Sequence, residues 1–149
     1  MNGSGINENK SLPMLWSSIN NNGITYSPTN STQTTEGTIR VDEQIKDINS
    51  LLNYYKEILI IKAKNPEIAR GELVHNDVGD REIAAYSVSY KDKTVYVLHN
   101  LSKSDKQISS DIIDINDFKI SDYLITNKVK PKVSNGKIYL PSMSTVIIR

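Results

Sequence analysis

The apolar positions between Ile45 and Ile61 fall into two adjoining stripes at the helical period of about 100° per residue. One stripe holds Ile45, Ile48, Leu52, Tyr55 and Leu59; the other holds Leu51, Tyr54, Ile58 and Ile61. Together they cover roughly 200° of the helical wheel, about twice the apolar arc of an ordinary surface helix. The pattern predicts one long helix, about residues 47–64, packed between two apolar partners. Asp47, Asn49 or Ser50 offers an N-cap oxygen, and "VDEQIKD" adds a turn ahead of it. Asn65-Pro66 ends it, because the residue before proline is disfavoured in the helical region.

From Arg81 the apolar period shortens to two. "REIAAYSVSY" and "TVYVLHNLS", separated by "KDK", have hairpin spacing. "QISSDIIDI", "SDYLITN", "GKIYLP" and "TVIIR" are further strands, with "SKSD", "SNG" and "PSMS" as turns between segments. Short strands with frequent turns predict an antiparallel sandwich or barrel. The expected fold class is α+β: one long helix, then an all-β antiparallel Greek-key sandwich. The expected domains are 1–71, with a loop over 1–44, and 72–149. Within the loop, turn signals stand at Asn22-Gly23 and Ser27-Pro28, and "LPMLW" supplies the apolar anchors. The stretch reads either as a long functional loop or as an arm without fixed structure. One partner of the helix is then the β domain, and the second is not encoded in these residues.

Composition removes several chemistries. Lys+Arg 18 against Asp+Glu 17 gives a net charge of +1, which makes no electrostatic case for nucleic acid or an anionic membrane. Cysteine is absent, so a disulfide framework, a thiolate metal site and a Cys nucleophile are excluded. No apolar run approaches the roughly 20 residues of a membrane span. His75 reads as a loop residue in a polar turn, and His99 as a strand-end residue whose ring bonds to backbone. Asp111, Asp114, Asp117 and Asp122 fail as a calcium loop, because Ile113 and Ile115 occupy ligand positions. "NKVKPKV" reads as an edge strand guarded by lysines. Asn30-Ser31-Thr32 and Asn100-Leu101-Ser102 fit the glycosylation sequon. No nucleophile elbow or phosphate loop is present, so no catalytic residue, metal site or cofactor is assigned.

Several segments, in order, resemble the C-terminal end of the alpha-amylase family of glycoside hydrolases, including its oligo-glucosidase branch. "LPMLW" is similar to R-x-P-M-x-W after the last barrel strand, although Ser11 stands at the arginine position. "SLLNYYKEILIIKAKNPEIARGE" resembles the last barrel helix, S-L-L-N-x-Y-[RK]-x-L-I-x-[LI]-R-x-x-x-P-x-[LI]-x-x-G. "VYVLHNLS" and "GKIYLPSMSTVII" are similar to two segments of the C-terminal β domain, with Ser142 replacing the second proline of L-P-P.

The resemblance implies a parent enzyme that cleaves or transfers α-glucosidic bonds of starch-type glucans or oligosaccharides on a (β/α)8 barrel. Its two catalytic carboxyl groups would lie upstream of Met1, and no Asp or Glu here matches them. The chain is thus expected to be a fragment, inactive alone, whose β domain caps the absent barrel. Met14 and Trp16 are expected on a loop near the rim of the sugar cleft, where the Trp16 indole either anchors the loop on the barrel or stacks on a sugar. The helix face Leu51, Tyr54, Ile58 and Ile61, deprived of its barrel, is expected to self-associate into a homodimer. A stand-alone carbohydrate-binding or self-association module is the alternative. The aromatics Tyr86, Tyr90, Tyr96, Phe118, Tyr123 and Tyr139 mostly alternate with core positions, which leaves few for a sugar platform.

Overall fold

The computed structural model describes residues 7–17, 19, 24–33, 35–114 and 117–149. The expected Asn22-Gly23 turn and Ile115 lie outside the described residues. The chain divides into two compact units, Met1–Lys56 and Glu57–Arg149.

The first unit carries α1 (Asn7–Lys10), α2 (Val41–Lys46) and the start of α3 (Leu51–Lys64). The "LPMLW" backbone serves α2. The Val41 and Asp42 N–H groups, which have no partner within the helix, donate to the Leu15 and Trp16 carbonyls at 3.0 and 3.1 Å. Pro28 forms a turn, its carbonyl accepting from the Ser31 N–H at 3.0 Å.

The S-L-L-N motif is a helix start. Ser50 Oγ accepts from the Asn53 N–H at 3.2 Å and donates to the Gln44 carbonyl at 2.6 Å. Asn53 Nδ2 reaches back to the Gln44 and Asp47 carbonyls at 3.0 and 2.8 Å. With Asp47 extended at φ −89 and ψ 107, the helix starts at Leu51 rather than near residue 47. "VDEQIKD" becomes the separate helix α2.

The second unit carries the end of α3, then α4 (Pro66–Arg70) and, among the described residues, eight strands. These are β1 (Glu72–His75), β2 (Ile83–Tyr90), β3 (Lys93–Asn100), β4 (Lys106–Ser109), β5 (Ile120–Leu124), β6 (Lys132–Ser134), β7 (Lys137–Leu140) and β8 (Ser144–Ile148). They form an antiparallel five-stranded sheet, β1-β2-β3-β8-β5, and a three-stranded sheet, β4-β7-β6. β1 was not evident in the sequence. All four of its residues are exposed, so it shows no buried face, and His75 ends a strand instead of sitting in a turn.

Side chains alternate along a strand, yet β3 is apolar on both sides. Tyr96 and Leu98 join Ile83, Ala85, Val146 and Ile148 on the inner face, against Ile108, Ile138 and Leu140 of the smaller sheet. Val95 and Val97 join Val88 and Ile147 on the outer face, where Ile61 of α3 and Ile68 of α4 pack. The large sheet is therefore a middle layer.

Two hairpins are tight. The β2–β3 turn holds Lys91 at φ 57, and the β6–β7 turn holds Asn135 and Gly136 at φ 52 and 67, the left-handed pair that a two-residue turn requires. At the far end of β3, Asn100 is buried. Its amide donates to the Ser104, Leu140 and Pro141 carbonyls at 2.8, 3.2 and 2.9 Å, and its oxygen accepts from the Ser102 N–H and hydroxyl at 3.0 and 2.8 Å. "HNLS" and "YLPS" are thus one interlocked corner.

Candidate functional site

The strongest polar constellation clamps the helices to the outer face of the large sheet. Asn65, between α3 and α4, is 1% exposed and Glu67 is also 1% exposed. Asn65 Nδ2 donates to the Ile61 carbonyl at 2.7 Å and to Asp122 Oδ2 of β5 at 3.2 Å. Arg149, just past β8, donates from Nη2 to Asn65 Oδ1 at 2.7 Å and to Glu67 Oε2 at 3.1 Å. A buried carboxylate needs such a partner, because a charge taken out of water is disfavoured unless it is paired and hydrogen-bonded.

Gly71 closes this block. A Cβ there would meet the Glu67 carbonyl oxygen at 2.6 Å, the Ser89 carbonyl oxygen at 2.7 Å and Val88 Cγ1 at 2.7 Å. The glycine ending P-x-[LI]-x-x-G is needed for close approach, because its φ of −83 suits any residue.

His99 lies on the same outer face. Its Nδ1 is 2.8 Å from Thr145 Oγ1 and its Nε2 is 3.1 Å from Tyr86 Oη, so side-chain hydroxyls, not backbone, hold the ring. Burial pushes the His99 pKa below its ordinary value and raises that of Tyr86. On the loop before β2, the Glu82 N–H and the Lys106 ammonium hold the Asp80 carboxyl below the usual range. Among the described residues, no three His, Cys, Asp or Glu side chains gather as a metal site.

The residues singled out in the sequence have different settings. Met14 and Trp16 are exposed by 59% and 57%. On α3, Leu51 is exposed, Tyr54 and Ile58 are half-buried, and Ile61 packs on the outer-face cluster. Tyr55, Leu59 and Ile60 are exposed, so apolar surface remains open on the helix away from Ile61.

Two grooves cut the second unit. One, of about 460 Å³, runs between the end of α3 and β5, past Ile60, Ile61, Tyr123 and Ile125, with Glu57, Lys64 and Asp122 also lining it. The other, of about 230 Å³, lies beside the smaller sheet, between Asp105, Val129, Lys130, Lys132, Tyr139 and Pro141.

Residues 83–147, from the start of β2 into β8, match the family "Alpha-amylase SusG C-terminal domain". The chain carries an alpha-amylase C-terminal domain. It is 32% identical to alpha-amylase 3 of Dictyoglomus thermophilum over 111 residues, which cover 74% of this chain and 21% of that protein. It is 36% identical to an amylopullulanase of Thermoanaerobacterium thermosulfurigenes over 112 residues, 66% of this chain and 6% of that protein. Among solved structures, Eubacterium rectale Amy13B superposes with a TM-score of 0.76 at 23% identity, over 85% of this chain and 25% of that one. The chain thus spans about a fifth of the first of these relatives and far less of the second.

The Arg149 clasp, whose residues lie outside the matched segment, was not evident in the sequence. Its members are 82 and 84 positions apart, and no local pattern joins them. The Ser142 departure from L-P-P also has a use. Its N–H, which proline lacks, donates to Asp105 Oδ1 at 2.9 Å.

Proposed function

We propose that this chain is a non-catalytic portion of an alpha-amylase-like glycoside hydrolase acting on α-glucosidic bonds of starch-type glucans, and that its β domain caps a (β/α)8 barrel. The observation that carries this reading is the outer face of the large sheet. The α3–α4 segment is seated there by Ile61, Ile68 and the Arg149 clasp, while Leu59 and Ile60 leave apolar surface on the same helix uncovered. A solvated helix rarely presents such a face without a partner. In this reading α3 is the last helix of the barrel. The β domain is of Greek-key type, supported by the return of β8 between β3 and β5 after the chain has visited the smaller sheet. Met14 and Trp16 belong to the rim of the glucan cleft, a position their exposure permits. The barrel would supply the two carboxyl groups, about 5 Å apart, that retaining hydrolysis uses.

The test is a chimera in which this chain replaces the matching region of alpha-amylase 3. The expected result is starch hydrolysis by the chimera, none by the 149-residue chain, and a clear loss of chimera thermal stability on Leu59→Asp. An inactive, unstable chimera would overturn the cap reading. A second reading, a homodimer through the helix, is favoured by the exposure of Leu51, with Tyr54 and Ile58 at the border of that face. Sedimentation of the chain with and without Ile58→Asp tests it, and a monomer in both cases would dismiss it.

A further inference from the structure

The near-neutral charge of the whole chain hides a segregated basic strip. No Asp or Glu occurs between Asp122 and Arg149, and Lys128, Lys130, Lys132 and Lys137 all fall in that stretch. The four lysines are exposed, whereas Pro131 among them is buried and anchors the strip to the domain. Ile138 and Leu140 turn inward to the core, so Lys137 and Tyr139 of β7 face outward. Lys132 stands opposite Tyr139 and Ser134 opposite Lys137, which puts both lysines on the outer face of the smaller sheet. They are one row apart, roughly 6.6 Å along the strands and 4.8 Å across them. Lys130 joins Lys132 along the groove of about 230 Å³.

These charges have no counter-charge of their own. Among the described residues, ion pairs join Lys106 to Asp80 and Glu82, and Arg149 to Glu67, and include none of the four lysines. Two carboxylates border the strip, and both are engaged. Asp105 accepts from the Ser142 N–H at 2.9 Å, and Asp111 from the Ser109 hydroxyl at 2.8 Å. Guarding an open edge accounts for only part of the strip, because Lys137 lies on β7, the central strand of the smaller sheet. The Lys132 ammonium lies over the Tyr139 ring, 5.1 Å from its centroid, and covers the aromatic surface on which a nucleic-acid base would stack. The other outward residues of these rows, Gln107, Ser109 and Ser134, are polar and offer no apolar side chain to a bilayer.

We infer that this basic face is a docking surface for a flexible linear polyanion of the phosphodiester type, a polyol phosphate without aromatic bases. Lys128, Lys130, Lys132 and Lys137 each meet one phosphate, and the polar rows between them meet the polyol hydroxyls. The face holds the protein on such a polymer by charge, and this inference is independent of the cap reading.

Titration of the 149-residue chain with poly(glycerol phosphate), followed by calorimetry and amide chemical shifts, tests the face. Shifts should gather over Lys128–Tyr139. With one phosphate per lysine, the single-strand coefficient of roughly 0.7 per contact gives a salt slope near about −3. Affinity should then fall about fiftyfold between roughly 50 and 200 mM salt. Lys130→Gln and Lys137→Gln should each weaken binding several-fold and flatten the slope by about 0.7, with unchanged thermal midpoints. Lys93→Gln, at an equally exposed lysine on β3, should change neither. Single-stranded poly-dT should bind no more tightly, phosphatidylglycerol vesicles more weakly, and neutral starch should leave the strip unshifted. Absence of binding at about 50 mM salt, salt-insensitive binding, or an equal loss from Lys93→Gln would each overturn the inference. Tighter binding to poly-dT or to the vesicles would overturn it in favour of a nucleic acid or a membrane.

Discussion

The two faces of the five-stranded sheet are held by different physics. The inner face shares ten buried residues with the smaller sheet and the segment after β4, all of them apolar apart from the Tyr96 hydroxyl. Among the described residues, the outer face offers a smaller buried patch, Val88, Val95, Val97 and Ile147, against which Tyr86 and single isoleucines from α3 and α4 pack. What it lacks in area it gains in directed bonds from Asn65, Glu67 and Arg149. Non-directional burial is enough to close a sandwich, whereas a helix laid across a sheet needs bonds that fix its position and angle.

Substitutions on each face should separate these contributions. Leu98→Ala, at 0% exposure in the inner core, should cost about 3–5 kcal/mol and lower the denaturant midpoint sharply. Equal loss from Val95→Ala and Leu98→Ala would erase the distinction between the faces. Arg149→Ala should cost less, about 1.5–2 kcal/mol, because the guanidinium is partly solvated while Glu67 is left buried and unpaired. Its signature is local: amide exchange should accelerate in α3 and α4 and stay slow in β3 and β7, and uniform acceleration would refute a local clasp.

The smallest effect is that of pH on the outer face. Burial depresses the His99 pKa, so the unfolded chain binds a proton that the folded chain resists as pH falls below about 6.5. The His99 contribution is therefore complete above that pH and declines below it. The thermal midpoint should be lower near pH 5 than near pH 7.5, with a flatter profile for His99→Gln. Tyr86 and Thr145, which hold the ring, do not titrate in that window.

Local chemistry made much of this fold readable in advance. Ser50 and Asn53 cap within one turn, Pro66 breaks the helix where it stands, and the periods of β2 and β3 follow from their own side chains. The missing pieces depend on contacts that no window of sequence contains. β1 pairs along its whole length with β2 while exposing every side chain, so hydrogen bonds alone define it. Whether the apolar residues of β3 alternate or fill both faces is decided by the arrival of α3 and α4. Tyr139 reads as one more alternating aromatic until the register places it between Gln107 and Lys132 on the outward side.

The buried Asn100 has a consequence for making the protein. In a host that attaches glycans to Asn-x-Ser during synthesis, its sequon competes with its own architecture. A sugar added before the β3 end meets the Leu140–Pro141 carbonyls would deny the corner its keystone, and a folded corner would deny the transferase its nitrogen. Yield in such a host becomes a race between two enzymatic and conformational clocks, and a bacterial cytoplasm avoids the contest.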